Sequence, residues 1–542
     1  MSSRTHIGWA AAFLLTSAAA WGQSATWEAV LKNDGVASAN PRFDNVVQPT
    51  LVAPGFTFQL VARGIANLEN PSGLLTKYGY LNDFPPQPVE ATKTEPDQNV
   101  YLALDHNPGG PTAGFDYGRH FLFQAHEGGG SDLSAATRVN LDVSDPLHRI
   151  TLLTPVGGDG KTHLNSLDGV GYDPFTGTLL FTQENGSGKG GVVELPVDYG
   201  TAPLVTHYGA MGHGGFEGVR VDDAGRVYLV EDIGGTSVNV VPGDSTSPKA
   251  ARIPNSFVYR FEPIDPSDLS VGGKLEVLQA TVDSAPLTFV PIDAGHPTGD
   301  AFSSAQLKLH TPGSSYPVRW ITIHDTAVDG TAEFDANTLA KAHGGTPFKR
   351  PENIAFLPGS GFRTFFFAPT GDTNTDSGNQ QALAARGAWG SLFRVDLEAD
   401  RATGTLSIVL LGDSDHASFD NLAFVSSTIL LIGEDRGDTL HKQLSRLDSV
   451  WAVDVARPHA APVRFIALGR DFPATKDAHY IDAKVAGFQN DGDNETTGLY
   501  ASDGDPSIAG LLGTQAPNDS YQVFFTQQHG ANLTRRIVGQ FE

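Results

Sequence analysis

Carboxylates recur at two points of a repeated pattern of short apolar strands. One set stands near the start of a strand, at Asp168, Glu217, Glu352 and Asp420. The second set stands at the end of the following strand, at Glu184, Glu231 and Glu434, with Glu127 as a further member. Carboxylates gathered in one place repel one another unless cations neutralise them. Because hard oxygen ligands favour calcium or magnesium, the repetition predicts a metal site, whereas any single acid could instead cap a turn or pair with arginine.

The triplet Arg350-Pro351-Glu352 places an arginine beside one of these acids. Proline restricts the backbone at the entry to the strand. A guanidinium fork next to a metal-binding carboxylate could hold an anionic substrate. On the simpler interpretation, Arg350 neutralises the acid cluster, and the two roles are compatible.

Six strands position these groups, each apolar along its length and polar at its end beside glycine. They lie within 120–128, 178–186, 226–232, 364–372, 429–437 and 523–530. An acid-headed strand precedes four of them, and alternating strands follow. This order is typical of propeller blades, whose inner strands end at one mouth of a central channel. The sequence therefore predicts an all-β, six-bladed β-propeller with insertions, forming a single domain over residues 23–542.

The longest interruption of the pattern runs from about residue 240 to 348, and we expect an insertion there. Within it, Asp335 is a suitable N-cap for a short helix reaching His343. At the other end of the chain, residues 1–22 have the charged start, apolar stretch and small-residue cleavage site of a signal peptide. The apolar stretch is too short for a membrane span. These features predict a periplasmic or secreted protein.

Composition narrows the classes of function. The 542-residue chain carries a formal net charge of −25, which argues against nucleic acid or an anionic membrane as a partner. Cysteine is absent, which excludes disulfides, thiolate zinc sites and cysteine nucleophiles. We therefore expect stability to come from core size, bound ions or both.

Several motifs, in their order along the chain, resemble the PhoX-type alkaline phosphatase family, exported proteins formerly grouped as a domain of unknown function. The resemblance covers roughly residues 101–529. The motifs are Gln183-Glu184, Phe216-Glu217, the segment 228–232, Arg350-Pro351-Glu352, Phe419-Asp420-Asn421-Leu422, Gly433-Glu434-Asp435 and the segment 524–530. The resemblance implies a propeller whose mouth holds calcium and iron and hydrolyses phosphate monoesters. It also implies that Glu184, Glu217, Glu352 and Glu434 are metal ligands and that Arg350 contacts the phosphoryl group.

One position departs from the family pattern. Gln183 stands where the family's active phosphatases have a cysteine ligand for iron, and a neutral amide does not replace a thiolate on ferric iron. Calcium is therefore the expected metal, and iron is not favoured.

The leading hypothesis is an exported calcium-dependent phosphoester hydrolase, expected to be a monomer that acts on a small phosphorylated substrate. Its active-site residues would be Arg350 and the carboxylates, including Asp168 and Asp420. Two alternatives remain open: a non-catalytic, calcium-stabilised propeller that displays binding loops, and a calcium-dependent lactonase-type hydrolase.

Overall fold

A computed structural model describes residues 27–32, 35–43, 46–73, 75–79, 94–128, 134–159, 161–200, 203–457, 460–470, 495–511 and 521–539. The predicted signal peptide lies outside these ranges. Before the first blade come the short helix α1 (Trp27–Lys32) and the strands β1 (Leu51–Val52) and β2 (Thr57–Arg63). Within the described ranges, no helix has both the length and the apolar character needed to span a membrane.

Six antiparallel blades follow one another along the chain, each entered through its innermost strand. Blade 1 contains β3 (Pro96–Ala103), β4 (His120–His126), β5 (Ala135–Asn140) and β6 (Ile150–Leu152). Blade 2 contains β7 (Leu167–Asp173), β8 (Thr178–Gln183), β9 (Gly191–Pro196) and β10 (Val205–Thr206). Between β8 and β9 lies the single turn α2 (Gly186–Lys189).

Blades 3 and 4 are joined into one ten-stranded sheet. Blade 3 contains β11 (Phe216–Val221), β12 (Val227–Glu231), β15 (Val258–Pro263) and β16 (Gly273–Val282), with the short β17 (Ala285–Pro286) paired to β16. The hairpin β13 (Ser237–Asn239) and β14 (Lys249–Arg252), between β12 and β15 in the chain, forms a separate two-stranded sheet. The long strand β18 (Ser315–Asp325) pairs with β16 on one side and with the outer strand of blade 4 on the other. Blade 4 contains β19 (Pro351–Phe356), β20 (Thr364–Pro369), β21 (Ser391–Leu397) and β22 (Thr403–Leu411).

The last two blades close the ring with the help of the N-terminal segment. Blade 5 contains β23 (Phe419–Phe424), β24 (Ile429–Glu434), β25 (Ser449–Asp454) and β26 (Val463–Ala467), and blade 6 contains β27 (Glu495–Ser502), β28 (Gln522–Gln528) and β29 (Leu533–Val538). On the outer edges, β1 pairs with β26 and β2 pairs with β29. The N-terminal strands therefore complete blades built from the C-terminal part of the chain, and this pairing holds the ring shut.

The core lies between neighbouring blades. Second strands such as β12 and β20 are buried from end to end, which explains their continuous apolar sequence. Apolar clusters fill the spaces between successive blades, for example around Phe121 and Leu179, around Leu180 and Val219, and around Leu431 and Val523. The inner strands of adjacent blades also contact one another all the way round. The predicted all-β propeller is confirmed.

The segment 240–348 holds two kinds of structure. Strands β15 and β16 are the outer strands of blade 3, so the segment is not a continuous insertion. The elements additional to a plain blade are β14, β17, β18, the 3₁₀ turn Leu269–Val271, and the helices α3 (Ser304–Leu309), α4 (Thr326–Asp329) and α5 (Ala336–His343). Helix α5 begins and ends where the sequence predicts, because the Asp335 side chain accepts a hydrogen bond from the Thr338 amide at 2.6 Å. Further along the chain come the short helices α6 (Thr375–Gly378), α7 (Gln381–Ala384), α8 (Gly437–Leu444) and α9 (Ile508–Leu511).

Candidate functional site

Every inner strand is bulged against the second strand of its blade, at its start in blades 1 to 5 and at mid-strand in blade 6. In five blades the bulge begins with an acid, and these acids are Asp97, Asp168, Glu217, Glu352 and Asp420. A bulge bends the strand and redirects a side chain. All five carboxylates consequently line one cavity at the mouth of the channel.

A second tier of acids follows directly after the second strands. Its members are Glu127, Glu184, Asp232 and Asp435. Pairing between inner and second strands sets this tier: Phe216 pairs with Glu231, Phe419 with Glu434 and Leu167 with Gln183. Glu184 is therefore equivalent to Asp232 and Asp435, and not to Glu231 and Glu434.

This register corrects the predicted grouping, because strand neighbours point to opposite faces. Glu434 does not line the cavity: its carboxylate accepts bonds from Arg436 Nη2 at 2.7 Å and Nε at 3.0 Å, and from the backbone amides of Ala417 and Ser449. Glu231 likewise turns away and accepts a bond from Asn337 Nδ2 at 2.8 Å.

The cavity has a volume of about 140 Å³ and is lined by nine carboxylates and Arg350. Three groups of acids bring one oxygen per residue within 4.8 Å of one another: Asp97 with Glu127 and Asp168, Asp168 with Glu184 and Glu217, and Glu217 with Asp232 and Glu352. Asp168 and Glu217 each belong to two of these groups. The arrangement is a row of three candidate cation positions in which neighbouring positions share a carboxylate. Asp420, Asp435 and Glu495 complete the lining, whereas Asp232, which pairs with Arg350, does not itself line the cavity.

So many carboxylates in one buried cavity cannot all be ionised at low cost unless cations bind there. Burial, followed by repulsion from neighbouring carboxylates, raises the pKa of six of these acids well above their ordinary values. The six are Asp97, Asp168, Glu184, Glu217, Asp420 and Glu495. Burial and repulsion from Asp232, opposed by attraction to Arg350, raise the pKa of Glu352 to about 7. A bound cation would reverse this balance and favour the ionised forms.

Arg350 is engaged by two of the acids. Its Nε donates to both Asp232 oxygens at 2.9 Å and its Nη2 donates to Asp232 Oδ2 at 2.7 Å. The same Nη2 lies 3.3 Å from Glu352 Oε1. Burial lowers the pKa of Arg350, but attraction to Asp232 and Glu352 outweighs it and the pKa lies well above its usual range. Arg350 therefore neutralises part of the cluster, and its Nη1 makes no hydrogen bond to the described residues.

The donor set suits a hard cation. Every lining side chain except Arg350 offers carboxylate oxygens, and the buried Oδ1 of Asp97 accepts no hydrogen bond within the described part of the chain. Gln183 does not line the cavity: Tyr208 donates to it at 2.6 Å and it donates to the Asn165 carbonyl at 3.2 Å. All-oxygen coordination of this kind fits calcium.

The structure brings together Glu184, Glu217, Glu352, Asp168, Asp420 and Arg350 as the sequence predicts. Sequence reasoning missed Asp97, Asp232, Asp435 and Glu495. Aligning the dipeptides Gln183-Glu184, Glu231-Asp232 and Glu434-Asp435 on their second residue would have found two of these. Glu495 comes from blade 6, whose bulge lies beyond Thr497 and contains no acid, so no sequence repeat marks it.

No protein-family model and no curated protein sequence matches the chain. Among solved structures, PhoX of Pseudomonas fluorescens in complex with vanadate, a transition state analogue, matches with a TM-score of 0.51 and 12% identity, covering 93% of this chain and 98% of that one. The two chains share a fold. At this identity the likeness shows the fold alone. The periplasmic gluconolactonase PpgL of Pseudomonas aeruginosa covers 77% of the chain at 15% identity, and its TM-score of 0.31 carries no argument.

Proposed function

We propose that the chain is an exported, calcium-dependent phosphoester hydrolase whose active site is the cavity at the channel mouth. The observation that carries the proposal is the row of three acid groups with shared carboxylates beside Arg350. The shared fold with PhoX supports it. We further propose that calcium is held by the carboxylates of these groups and that the protein acts as a monomer.

Calcium bound in this row would supply positive charge to polarise a phosphoryl oxygen and to activate a water molecule. The chain's own residues would bind and orient the phosphoryl group. Asp232 and Glu352 hold the guanidinium of Arg350 in a fixed orientation, with Nη1 left for a phosphoryl oxygen. A preorganised donor of this kind stabilises charge that develops in the transition state.

A second arginine stands beside this pair. Arg252, on β14, interacts electrostatically with Arg350, Asp232 and Glu352, and its guanidinium makes no ion pair within the described residues. Its Nη1 lies against Gly234, where a Cβ would approach it to 2.5 Å. Since Arg350 is engaged by acids, we propose that Arg252 gives the phosphate its first electrostatic contact and that Arg350 acts in the transition state.

The test is hydrolysis of p-nitrophenyl phosphate by the calcium-loaded protein, compared with a p-nitrophenyl ester and a lactone. We expect phosphomonoester turnover that a chelator abolishes. Arg350→Ala should lower kcat/KM by about a hundredfold, as loss of one transition-state donor does, and Arg252→Ala should act mainly by raising KM. The matched control is Arg394→Ala, which removes an arginine paired with Asp396 on β21.

Two outcomes would contradict the proposal. Bound calcium without turnover of any substrate would leave a calcium-stabilised, non-catalytic propeller. Turnover of the lactone but not of the phosphomonoester would indicate a lactonase-type hydrolase.

A further inference from the structure

The central channel has a second cavity that the proposed activity does not use. It measures about 80 Å³, and residues of all six inner strands line it. None of the acids at the channel mouth belongs to its wall. Most of the wall is apolar or aromatic, and its members include Val100, Tyr172, Phe356, Leu422, Phe424 and Tyr500.

One positively charged side chain, that of Arg220, forms part of this wall. Strand β11 directs Glu217 into the acidic cavity and Arg220 into the second cavity. No acid at the channel mouth forms an ion pair with Arg220 within the described residues. Arg220 is the only charged side chain among the described residues that line the second cavity.

Arg220 lacks the partner that a guanidinium in such a place normally has. Its Nη1 donates to the carbonyl oxygen of Val219 at 2.7 Å, and it makes no ion pair within the described ranges. Burial lowers the pKa of Arg220, and its interaction with the Tyr500 hydroxyl offsets only part of that effect. Desolvated charges are ordinarily paired, because an unpaired one is costly. Arg350, which is partly buried like Arg220, and the buried Arg436 both have carboxylate partners. The buried Arg138 instead donates to two backbone carbonyls and lies over the rings of Tyr117 and Phe121.

The chemistry of the cavity indicates what would satisfy Arg220. A guanidinium fork matches a carboxylate or phosphate in two-point geometry. Aromatic rings around it, at Tyr172, Phe356, Phe424 and Tyr500, suit a small apolar group attached to that oxyanion. The volume is too small for a nucleotide. Tyr172 and Tyr500 are half-buried, so the cavity is not sealed.

We propose that this cavity is a binding site for a small organic oxyanion, with Arg220 as the residue that recognises its charge. The proposal does not depend on phosphoester hydrolysis, because it uses none of the groups at the channel mouth. Its ligand class is a carboxylate or phosphate carried by a small aromatic or aliphatic group.

The test is isothermal titration of the full chain with benzoate, phenyl phosphate and inorganic phosphate, with benzamide as the neutral counterpart of benzoate. A chelator is present throughout, so that binding at the acidic cavity and hydrolysis of phenyl phosphate do not contribute. We expect benzoate or phenyl phosphate to bind and benzamide not to bind. Arg220→Met should weaken binding by at least about tenfold, the scale of a charge-assisted pair. The control Arg457→Met, which removes an exposed arginine paired with Asp454, should bind as the wild type does.

The stability of the ligand-free variant gives a second readout. Because Arg220 loses no ion pair, Arg220→Met should unfold at no lower a temperature than the wild type. Arg220→Lys keeps the charge without the fork and should bind with intermediate affinity. Failure of every oxyanion to bind the wild type would overturn the proposal, as would equal affinity in Arg220→Met.

Discussion

The register of the second strands makes a sharp prediction about two glutamates. Glu217 belongs to two of the three acid groups, whereas Glu434 lies outside the cavity in an ion pair with Arg436. Replacing each by glutamine keeps the size of the side chain and removes its charge. We expect Glu217→Gln to lose about half or more of the calcium-dependent stabilisation and Glu434→Gln to keep all of it. The sequence alone would have predicted the same loss for both.

The expected size follows from mass action and geometry. A cation present at about one hundred times its dissociation constant stabilises the folded state by about 2.7 kcal/mol per site, so three sites contribute about 8 kcal/mol. An unfolding entropy of about 2.1 cal/mol/K per residue, over a chain of roughly 500 residues, makes about 1 kcal/mol worth about 1 °C. Calcium should therefore raise the Tm by about 8 °C. Glu217→Gln, which weakens two of the three sites, should lose roughly 4–5 °C of that rise.

In the absence of calcium the order of the two variants should reverse, with Glu434→Gln and not Glu217→Gln having the lowered Tm. The acids of each group have one oxygen each within 4.8 Å of the others, and two ionised carboxylates at that separation repel by about 3.5 kcal/mol at an effective dielectric constant of about 20. Removing one acid from the cluster therefore should not lower the Tm in chelator. By contrast, Glu434→Gln leaves Arg436 buried without its partner, which costs about 3–5 kcal/mol. Its Tm should fall by about 3–5 °C with and without calcium.

The assay is differential scanning calorimetry of the wild type and both variants, in millimolar calcium and in chelator. A calcium-dependent rise that persists in full in Glu217→Gln would refute the assignment of the shared carboxylate. A rise lost in Glu434→Gln would refute the register argument. No rise in the wild type would show that the acid groups hold no calcium.

Three further predictions concern the support of the site and the fold. A Cβ at position 169 would overlap the carbonyl oxygen of Glu217. Gly169→Ala should therefore destabilise the protein by about 1–3 kcal/mol in urea unfolding and reduce the calcium-dependent rise in Tm. The control Gly158→Ala, with nothing within 4 Å of its Cβ, should change neither quantity. Burial lowers the pKa of His310 to about 4, so between about pH 6.5 and pH 4 the unfolded chain binds a proton that the folded chain does not. The free energy of unfolding should therefore be unaffected by His310 above about pH 6.5 and fall as the pH approaches 4, by roughly 2 kcal/mol at pH 5. His310→Gln should remove that part of the acid sensitivity, and an unchanged pH profile would contradict the reasoning. Asp335→Ala should cost about 1 kcal/mol through loss of the helix cap, and an unaltered unfolding midpoint would show that the cap contributes nothing.

Much of the architecture could be predicted because it is encoded locally. Continuous apolar runs such as 365–367 and 429–432 are characteristic of strands buried on both faces. Asp335 marks the start of α5 because a cap needs only its own turn. The alternating segment 257–261 predicts a blade strand, which is β15, but the additional elements between residues 240 and 348 could not be separated from blade 3. The reason is that β16 is recognised as a blade strand only through its pairing with β15.

The recurrence of carboxylates at strand starts and ends can be read along the chain, since that repeat and the strands that carry it are local features. Which of these acids face the channel follows from the packing and register of the strands. Side chains alternate along a strand with a period of two, so a shift of one residue exchanges Glu434 for Asp435. The tertiary structure also decides which arginines are neutralised: Arg350 finds Asp232, 118 residues away, whereas Arg220 finds no described acid. Such pairings depend on how blades pack around the axis, and no spacing along the chain records them.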